Sequence, residues 1–452
     1  MKNDYRQKLH LEPAKGWLND PNGLCFFNGE YHVYFQYTPD SAEGNGDRCW
    51  GHWCSPDLLK WRFTGTVLRP GIPEDRNGVF SGCGFVKCDT LYLFYTGNVM
   101  EEGDHDYITS DRGANVILVT TKDGHNMSAG KVLLRNSDYP DFCSCHVRDP
   151  KVWEENGRYY MVLGARTLDD NGCVLFYESD DLYDWRPVSN NSLAEFGYMW
   201  ECPDVFELGR SKYLSISPQG LQHEKYRFQN VFSSGHFVYS SDSFEEFEEW
   251  DYGFDFYAPQ TFDAPDGRKI LIGWEGIGDS SYSNPTTALG WQHCLTLPRE
   301  LTVRDDGVIL QQPVRELEKL RLNSNDKSLT TFFKYIVTLK TQLPFEYIGR
   351  CEGDFSIEFE DILKFGYRDG EFALTFLSDS AGCGRTVRYA ELPECSDIRV
   401  IADTSSVEIY LNGGEKVLSS RMYPADTQVG LRFAGTEGKL YRLGGIEVIS
   451  DE

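Results

Sequence analysis

Three carboxylates stand out by their surroundings. Asp20 opens Asp20-Pro21-Asn22-Gly23, Asp149 opens Asp149-Pro150-Lys151, and Glu201 opens Glu201-Cys202-Pro203-Asp204. Each precedes a turn glycine, Gly29, Gly157 or Gly209, by nine, eight and eight residues. After each glycine comes an apolar strand pattern beginning at Tyr31, Tyr159 or Tyr213. If such repeats stack about an axis, the acids converge on it. Clustered acids without a basic surplus suit acid/base or nucleophilic chemistry on a neutral, polyhydroxylated substrate. Taken singly the segments say little. Asp-Pro-Asn-Gly is also good turn chemistry, and an Arg148–Asp149 neighbour pair often gives only electrostatic support. The shared place in a repeat carries the reading.

A period of roughly 55–70 residues runs through the first two thirds of the chain. Five apolar strands mark it, Tyr31–Tyr37, Leu91–Thr96, Tyr159–Leu163, Lys212–Ser217 and Lys269–Trp274, each after a short strand and a turn. A second echo follows in Ser55-Pro-Asp57-Leu-Leu-Lys-Trp61 and Ser179-Asp-Asp181-Leu-Tyr-Asp-Trp185, a Ser/Asp turn with an aromatic fit to pack between sheets. Units of this length with about four strands predict propeller blades, five in all over residues 1–312, rather than a long sandwich or β-helix. Val314, Leu317 and Leu320, three apart behind Pro313, predict a short linker helix over 313–322. From 323 to 452 alternating strands return, with a turn at Asn412-Gly413-Gly414, and predict a β-sandwich. The fold class is all-β, a five-bladed propeller followed by a C-terminal sandwich. The sandwich has no acid cluster of its own, so its expected role is packing against the propeller or forming a homodimer.

The 452 residues carry a formal net charge of −26, which argues against nucleic acid and anionic membranes as partners. The N-terminus lacks the apolar core of a signal peptide, and no run approaches a membrane span. The 13 cysteines are scattered, with Cys143-Ser-Cys145 the only close pair, and the nine histidines form no H-E-x-x-H. Reduced thiols in the cytoplasm, no metal and no cofactor are the expectation.

The motifs, taken in order, resemble glycoside hydrolase family 32, the β-fructofuranosidases. His10-x-x-Pro13-x-x-Gly16-Trp17-x-Asn19-Asp20-Pro21-Asn22-Gly23 is similar to the family's opening. Tyr34-Phe-Gln36-Tyr37, Trp50-Gly51-His52, Phe80-Ser81-Gly82, Tyr95-Thr96-Gly97-Asn98, Arg148-Asp149-Pro150 and Glu201-Cys202-Pro203-Asp204 follow in the family's order. Asp255 to Gln260, Gly273-Trp274 and, in the sandwich, Asp403-x-Ser405-Ser406-x-Glu408 complete it. The resemblance implies that Asp20 is the nucleophile attacking the anomeric carbon of a β-fructofuranosyl unit. It implies that Glu201 is the general acid and then base, and that Asp149 binds fructose hydroxyls and steadies the transition state. Net retention follows, with the two reacting carboxyls about 5–5.5 Å apart. Asn19, Gln36, Trp50, Phe80, Ser81, Arg148, Cys202, Tyr257 and Trp274 are expected around the fructose.

The chain departs from the family in three places. The stretch Glu43 to Cys49 lacks a tryptophan common there, which suggests a more open wall. Cys83 follows Phe-Ser-Gly where serine is usual. Glu275 follows Trp274 where methionine is common, adding an acid expected near the pocket rim. The substrate is expected to be sucrose, sucrose 6-phosphate or a short fructan, with fructosyl transfer as an alternative to hydrolysis. A phosphorylated substrate needs basic donors, and Arg48 and Arg112 are the candidates. A catalytically silent sugar-binding protein is the alternative from another class, and it predicts loss of one of the three acids, all of which are present.

Overall fold

The computed structural model describes residues 3–240, 243–244, 246–322, 329–331 and 335–451. The residues 323–328 that open the expected sandwich lie outside them. Among the described residues no helix is long and apolar enough to cross a membrane.

Five sheets form a closed ring. Their inner strands are Gly16–Phe27, Val79–Lys87, Cys143–Glu155, Met199–Leu208 and Tyr257–Asp263. Each packs against the next, and the last packs against the first. Each blade then meanders outward. The second strands, Glu30–Thr38, Thr90–Met100, Arg158–Thr167, Ser211–Gln219 and Lys269–Glu275, are the apolar strands that mark the repeat. The Ser/Asp echo is a turn outside the third strand. In blade one Ser55 Oγ and Asp57 Oδ1 accept backbone N–H groups of Asp57, Leu59 and Lys60, and Trp61 Nε1 donates to Leu58 O at 3.0 Å. Blade three repeats this with Ser179, Asp181, Leu182 and Trp185, the last bond being 3.1 Å. The side-chain oxygens replace a missing ladder and fix where the fourth strand starts.

The sandwich is built on two long strands, Phe345–Phe359 and Gln428–Arg442, that pair with each other and pass through both layers. The pairing is interrupted between Cys351 and Ser356. Before that break the first strand pairs with Asp397–Ala402, followed by Ser406–Leu411 and Lys416–Arg421. After it the same strand pairs with Leu363–Arg368, followed by Glu371–Phe376 and Val387–Glu391. Phe345, Tyr347, Phe359, Phe365, Ile409 and Phe433 fill the space between the layers. The chain ends back on the propeller: Glu447–Ser450 runs parallel to Lys60–Leu68, the outer strand of blade one.

The expected linker helix is a 3-10 helix, Arg315–Leu320, and Pro313 ends the preceding strand instead of opening the helix. A spacing of three is the 3-10 period, which puts Val314, Leu317 and Leu320 in one row against the propeller core.

A buried polar clasp joins the two units. Asp403 accepts the N–H groups of Lys8 and Leu9 and lies 2.9 Å from His10 Nδ1. Glu408 lies 3.0 Å from His10 Nε2 and accepts from Leu297 N, Arg299 and Tyr410. Arg299 also reaches Asp251 at 3.0 Å, and Arg385 holds Asp255 at 2.7 Å. Glu275 belongs to this clasp and not to the pocket rim. It is fully buried, 3.7 Å from His10 and accepts the Cys294 thiol at 3.0 Å. Strand alternation explains the correction, since Trp274 faces inward and its neighbour must face the other way.

Burial alone would strip the proton from His10, but Glu275, Asp403 and Glu408 hold its pKa up to about 10. A folded-state pKa above the ordinary value adds stability that is complete below the ordinary histidine range and disappears as pH rises through the folded value. Urea unfolding between pH 6 and 10 should therefore show a loss of stability with rising pH that is shallower in His10→Gln. Parallel profiles for the two proteins would mean that the clasp does not depend on that proton.

Candidate active site

Each inner strand carries one extra residue against its neighbour at the same level of the ring. Asn19-Asp20 lie opposite Gln36, and Phe80-Ser81 opposite Thr96. Asp149-Pro150 lie opposite Leu163, Cys202-Pro203 opposite Ile216, and Ala258-Pro259 opposite Gly273. These are β-bulges, which bend a strand and re-aim its side chains. Nearly every expected site residue is in a bulge or beside one. The three acids are not strictly equivalent: Asp20 is the second bulge residue, Asp149 the first, and Glu201 the residue before. Asp149, Cys202 and Ala258 have φ of +64°, +46° and +49°, and each precedes a proline. That conformation is costly for such residues and is held by the surrounding ring.

Asp20 is half-buried under neutral donors. Ser81 Oγ donates to its Oδ2 at 2.5 Å, and Asn19 Nδ2 to its Oδ1 at 3.1 Å. Asn19 also donates to Gln36 Oε1 at 2.5 Å, and Trp17 Nε1 donates to Asn19 Oδ1 at 3.1 Å. Asn22 ties this blade to the next, giving Nδ2–H to Asp20 O and accepting Gly82 N–H at 2.9 Å. A side chain on Gly82 would collide with Phe94 O, so only glycine permits this approach.

Asp149 takes the Cys202 N–H at 2.9 Å, while its own N–H donates to Thr96 Oγ1 at 2.9 Å. The Cys202 sulfur lies 3.8 Å from Asp20 Oδ2 and 3.7 Å from Asp149 Oδ2, bridging the two. Glu201 is held on both oxygens. Arg148 donates to Oε1 from Nε (3.0 Å) and Nη2 (2.6 Å), and Tyr257 OH (2.6 Å) and Gln219 Nε2 (2.8 Å) donate to Oε2. Arg148 Nη1 also meets His146 Nδ1 at 2.8 Å.

Burial raises the pKa of Asp20; the Ser81 hydrogen bond opposes this and the negative Glu201 adds to it. Burial also raises Asp149, with Arg148 holding it down and Glu201 pushing it up. For Arg148 burial alone would lower the pKa, but Glu201 and Asp149 outweigh it and keep the guanidinium charged.

Trp274 packs at a centroid distance of 6.0 Å from Trp17 and 6.4 Å from Tyr257, an aromatic wall beside the acids. Trp50 is fully buried and works from behind, its indole N–H holding Phe80 O at 3.1 Å. Two arginines lie near the Phe80 ring, with the guanidinium of Arg48 5.9 Å and that of Arg112 5.8 Å from its centroid. Gly44 places the loop against Trp17, in the stretch where tryptophan is missing. Cys83 is structural: buried, it accepts Val152 N–H at 3.2 Å between blades two and three. Gln219 and His146 were not expected. Both touch the site from neighbouring strand positions that carry no motif of their own.

Carboxylates gathered at the axis of a propeller, with amides, hydroxyls and aromatic faces around them, are the equipment of a glycoside hydrolase. Residues 10–313 match the glycosyl hydrolases family 32 N-terminal domain, and 373–448 match the family 32 C-terminal region. The chain belongs to that family. It is 38% identical over 439 residues to the sucrose-6-phosphate hydrolase of Bacillus subtilis (strain 168), covering 93% of this chain and 89% of that protein. It is 39% identical over 441 residues to the raffinose invertase of Escherichia coli, with 92% and 89% covered. Among solved structures it is similar to the sucrose-6-phosphate hydrolase from Lactobacillus gasseri, with a TM-score of 0.87, 26% identity, and 98% and 94% covered. It is also similar to a Bombyx mori GH32 beta-fructofuranosidase, with a TM-score of 0.83, 30% identity, and 98% and 95% covered.

Arg148→Met should leave Glu201 and Asp149 without their shared buried counter-charge, at about 3–5 kcal/mol of stability near neutral pH. A carboxyl whose pKa is raised on folding destabilises above the ordinary range, and protonation relieves the cost. The deficit should therefore shrink as pH falls from 7.5 to 5 in urea titrations. An equal deficit at both values would mean that the guanidinium acts by packing alone.

Proposed function

We propose that the protein removes a terminal β-D-fructofuranosyl unit from sucrose or sucrose 6-phosphate with retention, through a covalent fructosyl-enzyme. The observation that carries this reading is the unequal surroundings of two carboxylates in one pocket. Asp20 is met by neutral donors, Ser81 and Asn19, which steady an anion without neutralising it and leave it able to attack. Glu201 is oriented through both oxygens, as a group that hands over a proton and takes it back must be. Asp149, fixed by the Cys202 N–H, has the stabilising role: it stays in place while the other two react. Asn19, Gln36, Ser81 and the faces of Phe80 and Trp274 shape the fructosyl site. The names of the relatives support the same class of substrate.

Glu201→Gln should lower kcat on sucrose or sucrose 6-phosphate by about 10²–10⁴-fold, because the leaving oxygen loses its acid. An activated fructoside, whose leaving group needs no proton, should lose far less in the first step. Unchanged hydrolysis of the natural sugar would remove Glu201 from the acid/base role.

Ser81→Ala should move the acid limb of kcat/KM to higher pH. The Ser81 hydroxyl holds the Asp20 pKa down, so its loss lets burial push that pKa further up and leaves less of the nucleophile ionised at a given pH. An acid limb that stays in place would mean that Asp20 ionisation does not govern it.

A further inference from the structure

Next to Glu201 a recess of about 320 Å³ opens, lined by Asp106, Arg112, His146, Arg148, Arg166 and Tyr198 among others. Arg148 and Gln219 belong to its wall and both hydrogen-bond Glu201, so the recess lies on the side of the proposed proton donor. A group seated there belongs to the leaving half of the substrate, not to the fructosyl half held around Asp20.

Three guanidiniums in one recess are unexpected in a chain with 70 acidic and 44 basic residues. Two of them are matched. Arg148 holds Glu201 at 2.6 Å, and Arg166 holds Asp170 at 2.6 Å while lying 4.8 Å over the Tyr198 ring. Arg112 is not. Among the described residues no carboxylate is within ion-pair distance of it, its Nε is buried without an acceptor, and its Nη1 is 3.5 Å from His146 Nδ1. His146 gives no counter-charge, since an imidazole is never negative; burial and the three arginines lower its pKa to about 3, so near pH 7 it adds no positive charge either. The acid of the recess, Asp106, is already bound to its own loop through the N–H groups of Ile108 and Thr109 and the Thr109 hydroxyl at 2.7 Å. Arg48, the other arginine near the Phe80 ring, does not line the recess.

A partly buried guanidinium with no anion is a cost that an incoming anion removes. Several guanidinium forks in one place suit the tetrahedral oxygens of a phosphoryl group better than the two oxygens of a carboxylate. We infer that this recess is the phosphate half of the leaving-group site, that it takes the phosphate of a hexose 6-phosphate, and that Arg112 determines the preference for a phosphorylated over a plain disaccharide. The inference rests on the fructosidase reading and narrows it to the phosphorylated substrate.

The test compares kcat/KM for sucrose 6-phosphate and sucrose in the wild type, Arg112→Gln, Arg112→Lys and Arg166→Gln. The wild type should prefer the phosphate, and Arg112→Gln should reduce the ratio of the two values by about 10- to 100-fold. Arg112→Lys, which keeps the charge but not the fork, should recover part of that ratio, and Arg166→Gln should reduce it less. Hydrolysis of both sugars with a ratio indifferent to Arg112 would overturn the assignment while leaving the fructosidase reading intact. Silence on both sugars would overturn that reading instead, and calorimetry then decides the recess alone. Glucose 6-phosphate should bind the wild type more tightly than glucose or inorganic phosphate does, and Arg112→Gln should weaken it. Equal binding to both proteins, or inorganic phosphate binding as tightly as the sugar phosphate, would refute the site.

Discussion

A regular strand sends its side chains alternately to two faces, so the inner strand of a blade offers the axis only every second residue. Five such strands in strict alternation would give a ring of similar positions, suited to packing and poor at chemistry. The extra residue in each inner strand changes this. At one level of the ring it turns Asn19-Asp20, Phe80-Ser81, Asp149-Pro150, Cys202-Pro203 and Ala258-Pro259 out of the alternation. Neighbouring blades then present different side chains to one point. The Cys202 N–H reaches Asp149 in the adjacent blade, and Ser81 reaches Asp20. Because the bulges lie in a closed ring, no blade can slip its register without breaking the contacts of two others.

The sandwich enters the same logic from behind. The N-terminal segment that leads into the first inner strand is tied to Asp403 through Lys8, Leu9 and His10. The charges of His10, Asp403, Glu408, Arg299 and Arg385 are fully buried, and such groups add little net stability over an apolar core, but they tolerate only one alignment. His10, Arg299 and Arg385 thus fix the angle at which the chain enters blade one and the position of the segment before blade five. The bulge at Asn19-Asp20 begins only a short way along the chain from that anchor. The clasp and the acids are therefore mechanically one assembly, although the Asp403 and Glu408 motif contributes nothing to the pocket itself.

Much of this was legible in the sequence for a physical reason. The second strands are apolar on both faces because each is covered by a blade on either side, so they recur as visible runs. Dense polar residues beside Trp17 cannot form a core strand and therefore mark the pocket. The bulges were harder to read, since a bulge is a relation between two strands. Its only local trace is the proline at the second place in three of them, Pro150, Pro203 and Pro259. Glu275 was misplaced because closeness in sequence to Trp274 was read as closeness in space. Arg112 carries no motif; it opens the strand Arg112–Thr121 and comes to His146 in the adjoining blade only through the fold. The row Val314, Leu317 and Leu320 is equally compatible with the start of an α-helix and with a 3-10 turn, and only packing against the propeller core selects the second.

The donors around Glu201 limit how it could carry a proton. In the resting arrangement it receives four: two from Arg148 on Oε1, and one each from Tyr257 and Gln219 on Oε2. Only an acceptor-only carboxylate satisfies all four, since a protonated carboxyl must itself donate. A guanidinium has no lone pair to accept such a donation, so Oε1 cannot hold the proton while Arg148 stays bonded. The Tyr257 hydroxyl can turn and accept, and it has Ser217 O at 3.3 Å to donate to when it does. The amide of Gln219 can present its oxygen in place of its nitrogen. Oε2 is therefore the oxygen able to serve the proposed acid step, and its donors must rearrange when the leaving oxygen arrives. Arg148 meanwhile keeps Oε1 in place, so the carboxyl can exchange a proton on one side without losing its position on the other.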